Sequence, residues 1–143
     1  MPKYLLDESV IRSMDSHKNV VKWKRSVDDT ELAICVLTLW EKRKGTEAQR
    51  SKEPDLVDEK LKALTVFEDS FGDRLLGLDP QAAREWATFV GRQDKHRIDA
   101  GIAAIAKQHG LIVVTRNLGD FERFKVPCLD PFRDPPLLVT YGS

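Results

Sequence analysis

Short apolar runs alternate along this chain with segments in which apolar residues recur at helical spacing. The apolar runs are typical of β-strands and cover residues 4–6, 32–36, 75–78, 111–114 and 126–129. The helical patterns lie between them, at residues 9–17, from 39 onward, 54–71, 80–90 and 98–109. This alternation predicts an α/β/α sandwich, in which helices cover both faces of a mainly parallel sheet.

One helix boundary is set by a local signal. Thr38 and Glu41 have the spacing of a capping box, which predicts that a helix begins at Leu39. The strongly charged stretch 44–53 is predicted to be a solvated helix end or a loop. No helix or strand is predicted for the polar stretch 18–30.

Length and charge limit the possible architectures and partners. A chain of 143 residues fits one domain, which we assign to residues 1–132; residues 133–143, with two adjacent prolines, are expected to run over the surface as a C-terminal tail. The 23 basic and 23 acidic side chains give a net charge of zero. No global field therefore favours nucleic acid, a membrane or an acidic partner, and any such partner must be held by local groups.

Cysteine usage and hydropathy indicate the compartment. Cys35 and Cys128 lie in apolar surroundings, too far apart in sequence for a metal knuckle, and are predicted to be reduced core thiols. The start of the chain lacks the pattern of a secretory signal, and no apolar stretch has the length of a membrane span. We therefore expect a soluble, cytoplasmic protein.

Four acids fall at comparable places in the predicted sheet. Asp7 ends the first strand, Glu41 and Asp99 lie in the first turns of two helices, and Asp120 follows the fourth strand. Strand ends and the helix starts that follow them share one edge of a parallel sheet, so these carboxylates can converge. Converging like charges require protonation or a cation, and oxygen ligands without Cys or His favour Mg²⁺ or Mn²⁺.

Each acid also has a structural explanation, because Asp and Glu commonly cap helices. Taken singly, capping is the better explanation. Asp99 shifts the balance, since the small residues in RIDAGIAAIA imply close packing around a carboxylate that is costly to bury unpaired. Thr115 and Asn117 offer polar groups of the kind that orient metal ligands.

Four segments together resemble the successive motifs of PIN-domain ribonucleases, specifically the VapC toxins of bacterial toxin–antitoxin pairs. They are YLLDESV, LTLWEKRKG, RIDAGIAAIAKQHGLIVVTRNLGDF and VPCLDPF, and the resemblance spans roughly residues 4 to 132. It implies a Rossmann-like α/β/α sandwich. It also implies that Asp7, Glu41, Asp99 and, as a more variable member, Asp120 form a magnesium-binding active site, with Asn117 in support.

Two positions depart from the family pattern. Glu8 adds a carboxylate beside Asp7 where the family commonly has threonine, and it is expected to point away because neighbours on an extended chain alternate. Trp40 occupies a position often held by a small residue, which changes either the pocket wall or a partner surface. Neither departure removes a predicted ligand.

The resemblance implies hydrolysis of RNA phosphodiesters, with one or two divalent ions held by Asp7, Asp99 and Glu41. Arg97 and Arg116 are the preferred phosphate contacts, whereas the run Lys42 to Lys44 is equally typical of a solvated helix face. No histidine is assigned as a ligand or a base.

The resemblance also implies two protein partners. One is a cognate antitoxin whose C-terminal segment covers the active site, and the other is a second copy of the chain in a homodimer. A helix surface with Leu61, Leu64 and Phe67 is a candidate contact, although core packing is the better explanation for it.

Two other classes of protein stay open at this point. Receiver domains and haloacid-dehalogenase-like phosphatases also place an acid after the first strand, but the phosphatases need a second Asp where this chain has Ser9. Receivers need a lysine after a late strand, where Thr115, Arg116 and Asn117 stand. In a non-catalytic binding module, the acids would serve only as helix caps.

Overall fold

The computed structural model describes residues 1–142 and contains one six-stranded sheet. Its strands follow the order β3-β2-β1-β4-β5-β6. The five strands β1 to β5 run parallel, and β6 pairs with β5 in the antiparallel sense. Their bounds are β1 Tyr4–Leu6, β2 Leu32–Cys35, β3 Leu75–Leu76, β4 Ile112–Val114, β5 Cys128–Asp130 and β6 Leu137–Val139.

Seven α-helices connect and cover the strands. They are α1 Glu8–Ser13, α2 Lys18–Arg25, α3 Val36–Glu47, α4 Pro54–Asp69, α5 Pro80–Val90, α6 Arg97–His109 and α7 Leu118–Phe121. Short 3-10 turns at Asp29–Glu31, Gly72–Arg74 and Glu122–Phe124 complete the described elements. Among residues 1–142, no helix combines the length and the apolar character that a membrane crossing requires.

Alternate strand residues enter two separate cores, as the period of two in a β-strand requires. On one face, Leu5 and Val113 pack with the buried side of α6. On the other face, Leu6 and Val114 pack with residues from α1, α2 and the end of α4. This arrangement confirms the predicted α/β/α sandwich with a mainly parallel sheet. Cys35 and Cys128 are buried free thiols, as predicted.

The predicted start of α3 is wrong. Cys35 ends β2 in an extended conformation and the helix begins at once at Val36, so strand and helix share no linker. Thr38 is buried inside the helix, with its hydroxyl 3.6 Å from the Cys35 sulfur, and does not cap it. Glu41 consequently lies in the second turn of α3 rather than the first.

Helix α2 was not predicted, because its sequence KNVVKWKR is dominated by charge. Val20 and Trp23, three residues apart, give it one buried stripe. The Trp23 ring meets the edge of Tyr4 on β1 at 5.2 Å between centroids. Two well-placed apolar residues are therefore enough to dock this basic helix.

The expectation that the C-terminal residues run over the surface is wrong for β6. Leu137–Val139 pair with Cys128–Asp130 and form the outer strand of the sheet. Their run of three apolar residues follows two prolines and is too short to stand out as a strand in the sequence. The pairing supplies the hydrogen-bond partners that the outer edge of β5 would otherwise lack.

Candidate metal-binding active site

Asp7 lies at the carboxyl end of β1, where it caps α1. Its side chain is only 6% exposed. It accepts hydrogen bonds from the Glu8 backbone N–H at 2.8 Å, from Ser9 Oγ at 3.2 Å and from Thr115 Oγ1 at 2.7 Å. Burial raises the pKa of Asp7, and these donors, led by Thr115, act against the rise. Capping and a role in a site are thus compatible for this residue.

Glu41 reaches the same edge from α3. Its Oε1 atom is buried and has no hydrogen-bond partner within residues 1–142. Burial, followed by the negative charges of Asp7 and Asp99, raises the pKa of Glu41 to about 7. A buried carboxylate oxygen that has no hydrogen-bond partner and lies near other carboxylates indicates a position where a neutralising cation is missing.

Asp99 lies in the first turn of α6. Burial, followed by the charges of Asp7 and Asp120, raises the pKa of Asp99 to about 6. The close packing predicted around it is confirmed at Gly101, where a Cβ atom would collide with Leu37 of α3 and lie 2.9 Å from the Trp86 ring of α5. The absence of a side chain at Gly101 therefore lets α6 approach α3 and bring Asp99 toward Glu41.

His96 links Asp99 to Asp120 and was not predicted as part of the site. Its Nδ1 lies 3.3 Å from Asp99 Oδ2 and its Nε2 lies 3.7 Å from Asp120 Oδ1. One ligand atom from each of the three residues falls within 4.8 Å of the others. The available signal was the spacing of three between His96 and Asp99, which places both on one side of a helix start.

This set of side chains fits a divalent cation. The four carboxylates are donors that both Mg²⁺ and Mn²⁺ accept, and the His96 imidazole shifts the preference from Mg²⁺ toward Mn²⁺. The unpartnered Glu41 oxygen and the raised pKa values of Glu41 and Asp99 show that negative charge at this edge is not compensated by the protein. The local chemistry thus agrees with the predicted metal site.

The predicted supporting residues line the same edge. Thr115 is fully buried, and its hydroxyl accepts a hydrogen bond from the Asn117 backbone N–H at 3.1 Å while donating to Asp7. Arg116 is exposed, and its guanidinium lies 4.8 Å from the centre of the Phe132 ring. Arg97 is exposed at the start of α6, where its carbonyl accepts a hydrogen bond from the Trp86 indole.

The charges around Glu8 and α3 are partly committed to structure. Glu8 lies 3.7 Å from Lys42 and 3.5 Å from Arg12, so its carboxylate is engaged by cations rather than left free beside Asp7. Arg43 binds Glu68 at 2.7 Å and ties α3 to α4. Within the run from Lys42 to Lys44, only Lys44 is free of carboxylate partners in residues 1–142.

Comparison with known proteins settles the family. The model of the PIN domain matches residues 4–126. The chain belongs to the PIN-domain family. The resemblance inferred from its motifs is therefore confirmed, and the carboxyl-edge cluster lies within the matched PIN region.

The similar proteins include toxins. Toxin FitB of Neisseria gonorrhoeae is 29% identical to this PIN domain over 139 residues, covering 91% of this chain and 99% of FitB. A crystal structure of FitAcB from the same organism matches with a TM-score of 0.70 at 28% identity, covering 91% of this chain and 99% of that one. DNA-bound VapBC from Salmonella typhimurium matches with a TM-score of 0.61 at 26% identity, covering 87% and 93%.

Proposed function

We propose that this protein is a metal-dependent endoribonuclease that acts in the cytoplasm. The observation that carries the proposal is the unpartnered, buried Oε1 of Glu41 among the charges of Asp7 and Asp99. Helix capping does not explain a buried carboxylate oxygen without a hydrogen-bond partner, whereas binding of a cation does. Membership of the PIN family supports the same conclusion.

Asp7, Glu41 and Asp99 are the proposed ligands of Mg²⁺ or Mn²⁺, with Asp120 and His96 at the outer side of the cluster. The chemistry that a bound divalent ion supplies at such a site is activation of water and stabilisation of charge on a phosphate. Thr115 fixes the orientation of the Asp7 carboxylate by its hydrogen bond. Arg97 and Arg116, both exposed near this edge, offer positive charge to the RNA backbone.

Cleavage assays with matched variants test this function. Purified protein is expected to cut RNA when Mg²⁺ or Mn²⁺ is present and to stop when the metal is chelated. Asp7→Asn and Asp99→Asn should abolish cleavage, whereas Asp69→Asn, which removes an exposed acid at the end of α4, should not. Equal cleavage by all four preparations, each purified free of contaminating nuclease, would refute the assigned site.

We further propose that the nuclease is the toxin of a toxin–antitoxin pair. Similarity to Toxin FitB and to a VapBC complex supports this. Helix α4 offers a surface for an antitoxin, since Leu61, Leu64 and Phe67 lie on one side of the helix and are only half-buried. Co-expression with the product of the neighbouring gene should yield a complex and suppress toxicity; full yield of non-toxic protein alone would contradict the pairing.

A homodimer is proposed on a different face. Trp40 of α3 is 49% exposed, and α5 presents Ala83 and Ala87 in a shallow groove beside Trp86. Leu37 and Trp86 both flank Gly101, so this apolar face continues from α3 to α5. We expect light scattering to give the mass of a dimer for the wild type and the mass of a monomer for Trp40→Glu. A dimer in both cases would contradict the assigned face.

A further inference from the structure

Arg116 and Phe132 form an aromatic–cation pair beside the acidic cluster. Arg116 follows Thr115, and its backbone N–H donates to Ser9 Oγ, so two hydrogen-bond paths connect its position to Asp7. The guanidinium carbon lies 4.8 Å from the centre of the Phe132 ring. This pair stands at the carboxyl ends of β4 and β5, on the same edge of the sheet as the proposed metal ligands.

The Phe132 ring is held in place from several directions. His17 meets it edge-on at 4.8 Å between ring centroids. The Phe132 carbonyl accepts a 2.7 Å hydrogen bond from Asn19 Nδ2, and its N–H donates to the buried Asp130 carboxylate at 2.9 Å. A ring fixed in this way is a preorganised stacking surface, because little conformational freedom is lost when a ligand contacts it.

The charges around the ring differ in their availability. Lys22 and Arg133 are paired with Asp134 and Asp130 at 2.9 and 3.3 Å. Arg116, which is exposed, has no carboxylate partner within residues 1–142. An unpaired guanidinium over an aromatic ring is complementary to a phosphate attached to an unpaired base.

We propose that Arg116 and Phe132, supported by His17, form a nucleotide-binding position for single-stranded RNA next to the scissile bond. This inference rests on the proposed ribonuclease function and adds to it the residue pair that contacts the substrate beside the cluster. A base stacks on the Arg116–Phe132 pair while Arg116 contacts the adjoining phosphate. A base inside a duplex cannot stack in this way, so the position selects single strands over double strands.

Binding measurements can separate the ring from the charge. The probe is a short fluorescein-labelled single-stranded oligoribonucleotide of mixed sequence, compared with the same strand annealed to its complement, in EDTA so that both stay intact. Fluorescence anisotropy gives the Kd of the full-length protein at several salt concentrations. The variants are Phe132→Leu, Arg116→Lys and Arg116→Gln, with Lys62→Ala as a control that removes an exposed charge from α4.

The expected pattern differs among the variants. Phe132→Leu and Arg116→Lys should each weaken single-strand binding at least about fivefold, because both lose stacking, and should leave the salt dependence unchanged. Arg116→Gln should also lower the slope of log K against log salt by about 0.7, because one phosphate contact is lost. Lys62→Ala should bind with wild-type affinity, and the single-strand preference should shrink in Phe132→Leu.

Several results would overturn the proposal. Unchanged single-strand affinity in Arg116→Lys would overturn it. This test stays valid even if Phe132→Leu folds poorly, because Arg116 is exposed and its replacement should not disturb folding. Equal losses on single strand and duplex would show a general phosphate contact. If the variants weaken only the complex with the antitoxin, the pair is a protein contact instead. Wild-type protein that binds single strands as described but never cleaves RNA would refute the ribonuclease function and leave this binding position intact.

Discussion

Thr115 Oγ1 donates a 2.7 Å hydrogen bond to Asp7 Oδ2 between two residues 108 positions apart in the chain. The bond joins the ends of β4 and β1, which are neighbours in the sheet. Both side chains are buried, so the bond is shielded from water and fixes the carboxylate in one orientation. The first proposed metal ligand is thus held by the strand pairing itself.

Replacing Thr115 tests the importance of this bond. Thr115→Val keeps the shape but removes the donor from a buried carboxylate, and should lower the free energy of unfolding at pH 8 by about 1–3 kcal/mol. We also expect about tenfold weaker Mn²⁺ binding by titration calorimetry. Thr115→Ser retains the hydroxyl and should keep most of the metal affinity. Equal metal affinity in the valine and serine variants would contradict the orienting role.

Burial of the clustered acids, together with their mutual repulsion, predicts how stability depends on pH. Because the pKa values of Glu41 and Asp99 are raised to about 7 and about 6, the folded protein binds more protons than the unfolded chain between about pH 4 and pH 7. The free energy of unfolding of metal-free protein should therefore fall as the pH rises through this range. Urea denaturation should detect a loss of about 1–2 kcal/mol between pH 5 and pH 8.

Matched glutamate variants localise this pH effect. Glu41→Gln removes one of the repelling charges and should flatten the pH dependence, whereas Glu59→Gln on the exposed side of α4 should leave it unchanged. Adding Mn²⁺ at pH 8 should restore stability, because the ion binds the folded state. A wild-type protein that gains stability as the pH rises from 5 to 8 without metal would contradict the raised pKa values of Glu41 and Asp99.

Two glycines provide a matched test of the packing that positions Asp99. Gly101→Ala would push against Leu37 and Trp86 and should destabilise the protein by about 1–3 kcal/mol. Gly45→Ala lies in α3 with open space around it and should stabilise the protein by about 0.5–1 kcal/mol. Thermal denaturation followed by circular dichroism distinguishes the two directions. Similar effects at both sites would mean that α6 does not depend on the close approach.

His96 is expected to influence metal binding through Asp99 and Asp120. His96→Ala should weaken Mn²⁺ binding by about tenfold and Mg²⁺ binding by less, because imidazole nitrogen is a better partner for Mn²⁺. Titration calorimetry with each ion measures the two affinities. Identical losses for the two ions would show that His96 only orients the carboxylates. No loss for either ion would remove it from the site.

The sequence was sufficient for the five parallel strands and for the common sheet edge of the four acids, because both depend on local patterns. Leu5 and Leu6 are fully buried on opposite faces, and such two-sided burial gives the continuous apolar runs from which the strands were predicted. Asp7 follows β1 directly and Asp120 lies in α7, the helix after β4, so their common edge follows from the parallel topology. The prediction failed for α3 because the strand passes into the helix without a linker, which leaves no room for a capping residue.

Features that depend on long-range contacts were not predicted. Helix α2 is stabilised by Val20 and Trp23 against the sheet, although its composition is that of a solvated segment. His96 joins the cluster through a left-handed backbone conformation at φ 59°, which turns the chain just before α6. Non-glycine residues adopt this conformation rarely, so no propensity rule places the ring between Asp99 and Asp120.

The most direct test of the ribonuclease assignment is the initial rate of RNA cleavage as a function of Mn²⁺ concentration, measured side by side for wild-type protein and Asp99→Asn. We predict a saturable, metal-dependent rate for the wild type and at least about a hundredfold lower rate for the variant at every concentration, because a metal ligand is lost. Cleavage by the wild type without metal, or equal rates for the two proteins, would contradict it.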